Sequence, residues 1–592
     1  MTNRHSIMFF NKLLMAATLL FMAPAAFALI PVLHFSDINS GPKVGLGDGK
    51  GSGAIVTIWG NNLGDMQMDS KVYIGGEEAA YVYSWARADG TNANGPADLY
   101  TYHKIQAISF SIPATVADGE NDIHVTVGGM DSNTLPFVVR DGNIFFVSPN
   151  GSNADDGSWN NPWQTLNHVG SGAKSGAERK FQPGDITYAT DGVIQVNPNG
   201  GGLTIMKLKG TAERPYVIAA YPGATVLVKD HTSRGIHNFN YDSAYWHFSK
   251  LNIQTNGNGI STFKGLRAIG NTITNYPGGC ATGQGGAISG NNLSGRDTVG
   301  GGIKVYGNHI YDFGCDTSSK LHHVFYISNR GGSKVKSFEL GWNYLHDNKV
   351  HHALHVYDER SCGDFEGPMK IHNNVVINQV GGGVNIATGG TPDPCLSMDI
   401  EIYNNLMVNT GLDIPKFDGY HFFAIRVVNR NNRSNIKIIN NTIDGYGEPG
   451  KNGYALHIQG QDSPNWIFGG TWEFKNNIIV DTNDLPYQSG VWKEPDIAGG
   501  NLWFNGGDGT PSAVPSWSTS NFSNVDPLMN NLGVISKISP ANNSGVASSL
   551  SISHDLAGVP RGGVGEISIG AYEYNGAAKA PPSATQLMII DE

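Results

Sequence analysis

Charge is scarce in this chain. Asp, Glu, Lys and Arg make up 15% of its 592 residues, and the formal net charge is −11. So few basic groups exclude a general nucleic-acid or anionic-membrane binder, both of which need a positive surface. Cysteine is also scarce, at four, and no C-x-x-C pair occurs, which argues against a zinc ribbon. After the first 28 residues no apolar run is long enough to span a membrane. A nucleotide-binding glycine motif, a G-x-S-x-G elbow and a helical H-E-x-x-H are missing. "GDGKGSG" (47–53) has glycines and a lysine but not the spacing of a phosphate loop.

Glycine, by contrast, is abundant at 78, and apolar residues reach 40%. That composition suits many short strands joined by turns around a large core, and 592 residues exceed one ordinary domain. The N-terminus reads as a secretory signal over 1–28: Arg4 and Lys12, an apolar run, then Ala26-Phe27-Ala28 as the cleavage site. No cysteine follows the cut, so the expectation is a secreted or periplasmic protein that is not a lipoprotein. In that compartment four cysteines favour two disulfides.

Residues 29–140 hold short alternating runs separated by turn residues, among them "GAIVTIWGNNLG", "KIQAISFSIP" and "NDIHVTVGG". They predict a small all-β sandwich. "VTIWGNNLG" (56–64) and "ENDIHVTVGG" (120–129) resemble the turn and penultimate strand of IPT/TIG immunoglobulin-like domains, which implies a spacer or binding module.

From 141 to 575 the chain repeats. "IKVYGNHIYDFG", "FELGWNYLHDN", "MKIHNNVVINQVG", "IEIYNNLMVNTG" and "IKIINNTIDGYG" each place an Asn between two apolar stretches. The aligned residues are Asn271, Asn308, Asn343, Asn374, Asn405, Asn441 and Asn477, 31 to 37 residues apart. A fixed pattern at an irregular period predicts a solenoid with loops of varying length. A column of Asn predicts a ladder of side-chain amides satisfying buried turn backbone. Cys280 and Cys315, and Cys362 and Cys395, each lie about one coil apart, which predicts bridges 280–315 and 362–395. Residues 576–592 form a tail. "IFFVSPNGSNADDGSWNNPWQTL" (144–166) and "LAGVPRGGVGEISIGAYEY" (556–574) resemble the opening and closing segments of right-handed parallel β-helix proteins of the pectate-lyase-like superfamily. That resemblance implies the fold and a polysaccharide partner.

A second strand type follows in each coil: "VFYIS", "ALHVY", "GVNIA", "AIRVV" and "ALHIQ". Alternation sends their apolar residues inward. The residues between form an outward row of Tyr326, His355, Asn385, Arg426 and His457, about 20 Å long at about 4.8 Å per strand. The small neighbours Ala353, Gly383, Ala424 and Ala455 suggest an open groove floor. "KLHHVFYIS" (320–328) and "KVHHALHVYDE" (349–359) are near-repeats one coil apart.

The row holds groups suited to proton transfer and anion binding. The reading is a polysaccharide lyase acting on an anionic, uronic-acid polymer by β-elimination. His355, Tyr326, Arg426 and His457 are the catalytic candidates. Asn385, His323, His352, Lys304, Tyr357 and Arg330 are candidates for binding the substrate. The resemblance allows Ca²⁺ as a carboxylate neutraliser, with Asp358 and Glu359 as its ligands. A C5-epimerase would use nearly the same parts. A glycoside hydrolase built on loop carboxylates and a non-catalytic adhesive protein are the alternatives. Zinc held by His351, His352 and His355 alone is disfavoured, because four residues of strand separate His351 from His355 by about 13 Å. The protein is expected to be a monomer.

Overall fold

The computed structural model describes residues 30–175, 178–196, 201–232, 234–292, 297–329, 337–358, 367–388, 399–412, 423–428, 434–447, 454–459, 470–481, 487–489, 494–505, 514–518, 522–562 and 566–574. The architecture is nearly all β. One helix, Leu166–Gly170, occurs among the described residues. None there is long and apolar enough to cross a membrane.

The N-terminal part is a β-sandwich of two sheets. One runs in the order Val32–Ser36, Ile55–Asn61, Gln106–Ser111, Tyr81–Arg87, all antiparallel. The other is built on Gly119–Val127, flanked by Lys71–Ile74 and Leu135–Val139. Val56, Ile58, Val72, Ile74, Ile108, Phe110, Ile123 and Phe137 are buried in its core. In "AIVTIWG" almost every residue is apolar or small because both faces of that strand are covered. One face lies on the second sheet and the other on the solenoid.

The rest is a right-handed parallel β-helix. Three parallel sheets of 12, 12 and 10 strands run its length, and each coil visits them in turn. The first sheet starts at Ile144–Val147, the second at Ile194–Val196 and the third at Leu203–Met206. The two apolar stretches flanking each aligned Asn belong to the first and second sheets. The Asn marks the corner between them, and the strands of the outward row form the third sheet.

At that corner the chain takes a left-handed residue immediately before each ladder Asn, with φ from +51° to +66° at Gly270, Gly307, Trp342, Asn373, Asn404, Asn440, Asn476 and Gly500. Gly and Asn dominate because they tolerate this conformation best. The ladder runs from Asn271 to Asn477 and continues to Asn501. From Asn308 on, each side-chain oxygen accepts both the backbone and the side-chain N–H of the Asn one coil before. Cys280 and Cys315 are bridged; Cys362 and Cys395 lie outside the described residues.

The sandwich docks on the first sheet. Tyr188 Oη bonds the backbone N–H and C=O of Ile55, and Arg267 donates to the Ser36 carbonyl. The C-terminal segment packs near the first and second sheets, with Leu556, Ile569 and Ala571 against Leu406 and Ile478. Among the described residues, none of the apolar clusters at these junctions draws on the third sheet.

Candidate functional site

The third sheet pairs Tyr326 with His355, His355 with Asn385, Asn385 with Arg426, and Arg426 with His457. The row extends upstream through Ser289, Ser261, His237 and Thr204, in register. Nine polar residues thus follow one another over about 38 Å at about 4.8 Å per step. The inward row beneath is Leu203, Ile236, Ile260, Ile288, Phe325, Leu354, Val384, Ile425 and Leu456, all buried. A cavity of about 230 Å³ lies beside Tyr326, lined by Arg234, Asn258, Ser261, Ser289 and Asn291. His237, next to Arg234, has its imidazole held down at about 4, mainly by burial and then by the neighbouring guanidinium.

The row is not an open floor. Ala353, Ala424 and Ala455 are fully buried. A Cβ on Gly383 would lie 2.5 Å from the Ala424 carbonyl. Small residues are required there because the chain bends into its neighbour's backbone, and they do not expose the groove. Asn385 and His457 are only 3% and 8% exposed, whereas Tyr326, His355 and Arg426 are half-buried.

The catalytic candidates sit among a second row, three residues back along each strand. It reads His323, His352, Gly382, Phe423 and Tyr454. His355 Nδ1 is 3.2 Å from His323 Nε2, and the His352 amide points at His323 Nδ1 from 3.3 Å. The Tyr326 ring lies 4.9 Å from that of His323 and 5.2 Å from that of His355. Phe423 closes the cluster, 5.4 Å from the His352 ring and 5.7 Å from the Arg426 guanidinium. It reaches there across Gly382, where a Cβ would lie 2.2 Å from the ring. Tyr357, half-buried, stacks 5.6 Å from His355.

Other predicted residues are placed elsewhere. Lys304 does not border the groove. It lies on the first sheet, paired with Glu339 beneath the sandwich junction. It belongs to a charge ladder in which Lys304, Glu339, Lys370, Glu401, Lys437 and Glu473 alternate in sign along one row. The central residues of "IKV", "FEL", "MKI", "IEI", "IKI" and "WEF" carry that signal. Asp358 ends the strand Leu354–Asp358, is fully buried and stands opposite Asn329 and Thr388 on the inward side. It does not face the groove and does not fit a groove-bound Ca²⁺, which needs six or more oxygen ligands. Arg330 and Glu359 lie outside the described residues. His351 bonds the Lys320 carbonyl and stacks 3.7 Å from His352.

No family model matches this sequence, and no curated protein matches it. Among solved structures, the chain is similar to a crystal structure of pectate lyase Pel9A at 16% identity, over 74% of this chain and 97% of that one, with a TM-score of 0.40. It is also similar to a complex of XylC with xylose at 12% identity, over 72% and 98%, with a TM-score of 0.33.

Proposed function

We propose that this protein cleaves an anionic, uronic-acid-containing polysaccharide by β-elimination in the groove of the third sheet. One observation carries the reading: Tyr326, His355, Asn385 and Arg426 occupy consecutive strand steps, with His323 bonded behind His355. Elimination needs a partner for the sugar carboxylate, a base for the C5 proton and an acid for the leaving oxygen. Arg426 is the carboxylate partner, through a charge-assisted contact. Tyr326 and His355 are the proton-transfer pair, adjacent in the row and close enough to meet at one glycosidic linkage. One takes the C5 proton. The C5–H electrons form the C4–C5 double bond, the C4–O bond breaks, and the leaving oxygen takes a proton from the other. His323 positions His355 and fixes which of its nitrogens holds a proton. Asn385 lies between the two ends and offers neutral hydrogen bonds to sugar hydroxyls.

The test is incubation with alginate, pectate and glycosaminoglycans. Ultraviolet absorbance from an unsaturated sugar end is expected with one of them. New reducing ends without that absorbance would assign a hydrolase. Binding without any product would assign a carbohydrate-binding surface protein.

A further inference from the structure

His323, His352 and His355 each bring a ring nitrogen within 4.8 Å of the other two. His323 Nε2 and His355 Nδ1 stand 3.2 Å apart. Two nitrogens on one tetrahedral ion, each at about 2.0–2.1 Å, are separated by roughly 3.3 Å. The donor set is all imidazole. It suits Zn²⁺ and its transition-metal neighbours and disfavours Ca²⁺ and Mg²⁺, which want oxygen. The rings are held in place: His323 and His352 are 2% and 1% exposed, packed by His351, Tyr326 and Phe423. His355 is largely buried too, and belongs to the outward row of the groove strands. Three protein ligands with one open side is the arrangement of an ion that also takes an exogenous ligand.

We infer that His323, His352 and His355 bind one divalent transition ion such as Zn²⁺, with its open position facing the groove. The sequence spacing that disfavoured zinc counted only one coil. The near-repeat of His322–His323 and His351–His352 supplies the missing ligand from the coil before. Binding moves the His323 proton from Nε2 to Nδ1, with no net proton released. The His323 ring then gives up the 3.3 Å contact from the His352 amide, already at the long limit for an N–H bond. The ion takes the His355 Nδ1 lone pair that otherwise meets His323, and so replaces the contact that sets which His355 nitrogen holds a proton. On the elimination reading the ion is therefore an inhibitor, and only that consequence rests on the reading.

The test uses untagged, chelator-treated full-length protein titrated with Co²⁺ and then Zn²⁺. One equivalent of Co²⁺ should give the intense visible bands of a tetrahedral site, and Zn²⁺ should bleach them. His323→Ala and His352→Ala should lose the bands, whereas His309→Ala, in a separate histidine pair on the second sheet, should keep them. If either variant does not melt cooperatively, the more conservative His355→Gln replaces it. No bands in the wild-type protein, or bands that survive loss of these histidines, would overturn the site. Bands with turnover unchanged would leave the site standing and overturn the inhibition, counting against the His323–His355 contact as part of the proton-transfer machinery.

Discussion

Lys250 and Asp37 form an ion pair of 3.4 Å across the junction of sandwich and solenoid, with side chains only 3% and 1% exposed. Asp37 also accepts the amides of Ile38 and Thr57, and Lys250 donates to Thr57. A buried pair is costly to break from one side, because the remaining charge has no solvent. Lys250→Met should lower the unfolding midpoint, at a cost of about 3–5 kcal/mol. The double variant Lys250→Met/Asp37→Asn should recover part of that loss. Thermal melts of the three proteins decide it, and a double variant no better than the single would contradict the account.

Glu401 sits between two lysines in the first-sheet ladder, 3.9 Å from Lys370 and 3.2 Å from Lys437. Cross-strand opposite charges contribute roughly 0.2–1 kcal/mol each. Glu401→Gln should therefore cost about 0.5–2 kcal/mol, and the difference from wild type should shrink as salt rises. Denaturant melts at low and high salt measure it; a loss independent of salt would point to packing instead.

Buried imidazoles should make the fold acid-sensitive. Burial pushes His34, His103 and His322 down to about 4 and His309 to about 3, from an ordinary value near 6.5. Below pH 6.5 the unfolded chain takes up protons that the folded chain refuses, so stability is full above 6.5 and falls as pH drops toward 4. The slope should be on the order of 1 kcal/mol per pH unit per histidine. His322→Gln should flatten it. A melting temperature constant from pH 6.5 to 4 would sink this reading.

At the groove, Tyr326→Phe and His355→Gln should each lower kcat by about 10²–10⁴-fold while leaving the melt unchanged. Arg426→Lys should act chiefly on KM, since it keeps the charge but loses the planar fork. Initial rates on the polymer identified by the product assay separate the two effects. Near-wild-type rates in both Tyr326→Phe and His355→Gln would remove the row as the catalytic centre.

The repeat of an Asn between apolar pairs made the solenoid legible, because a stack imposes the same turn on every coil. Alternation made the outward row legible for the same reason: strand residues facing one way must share one register. The charge ladder is equally present in the repeats, at alternating sign in the centre of each first-sheet strand. Lys304 was misplaced because sequence proximity to the groove strands does not tell which of three sheets a strand joins.

By itself, then, the sequence determined the periodicity, the class of fold and which side chains line up along a strand direction. These follow from local geometry repeated coil after coil. Only the tertiary structure decided what meets across coils and corners. His323 reaches His355 because parallel strands lie about 5 Å apart while the chain between them runs 32 residues. Asp358 shares the inward parity of Leu354 and Val356, which alternation already gives, whereas Ala353 is buried instead of open because the start of the strand packs against its neighbour's backbone. That contact has no signature in the order of residues.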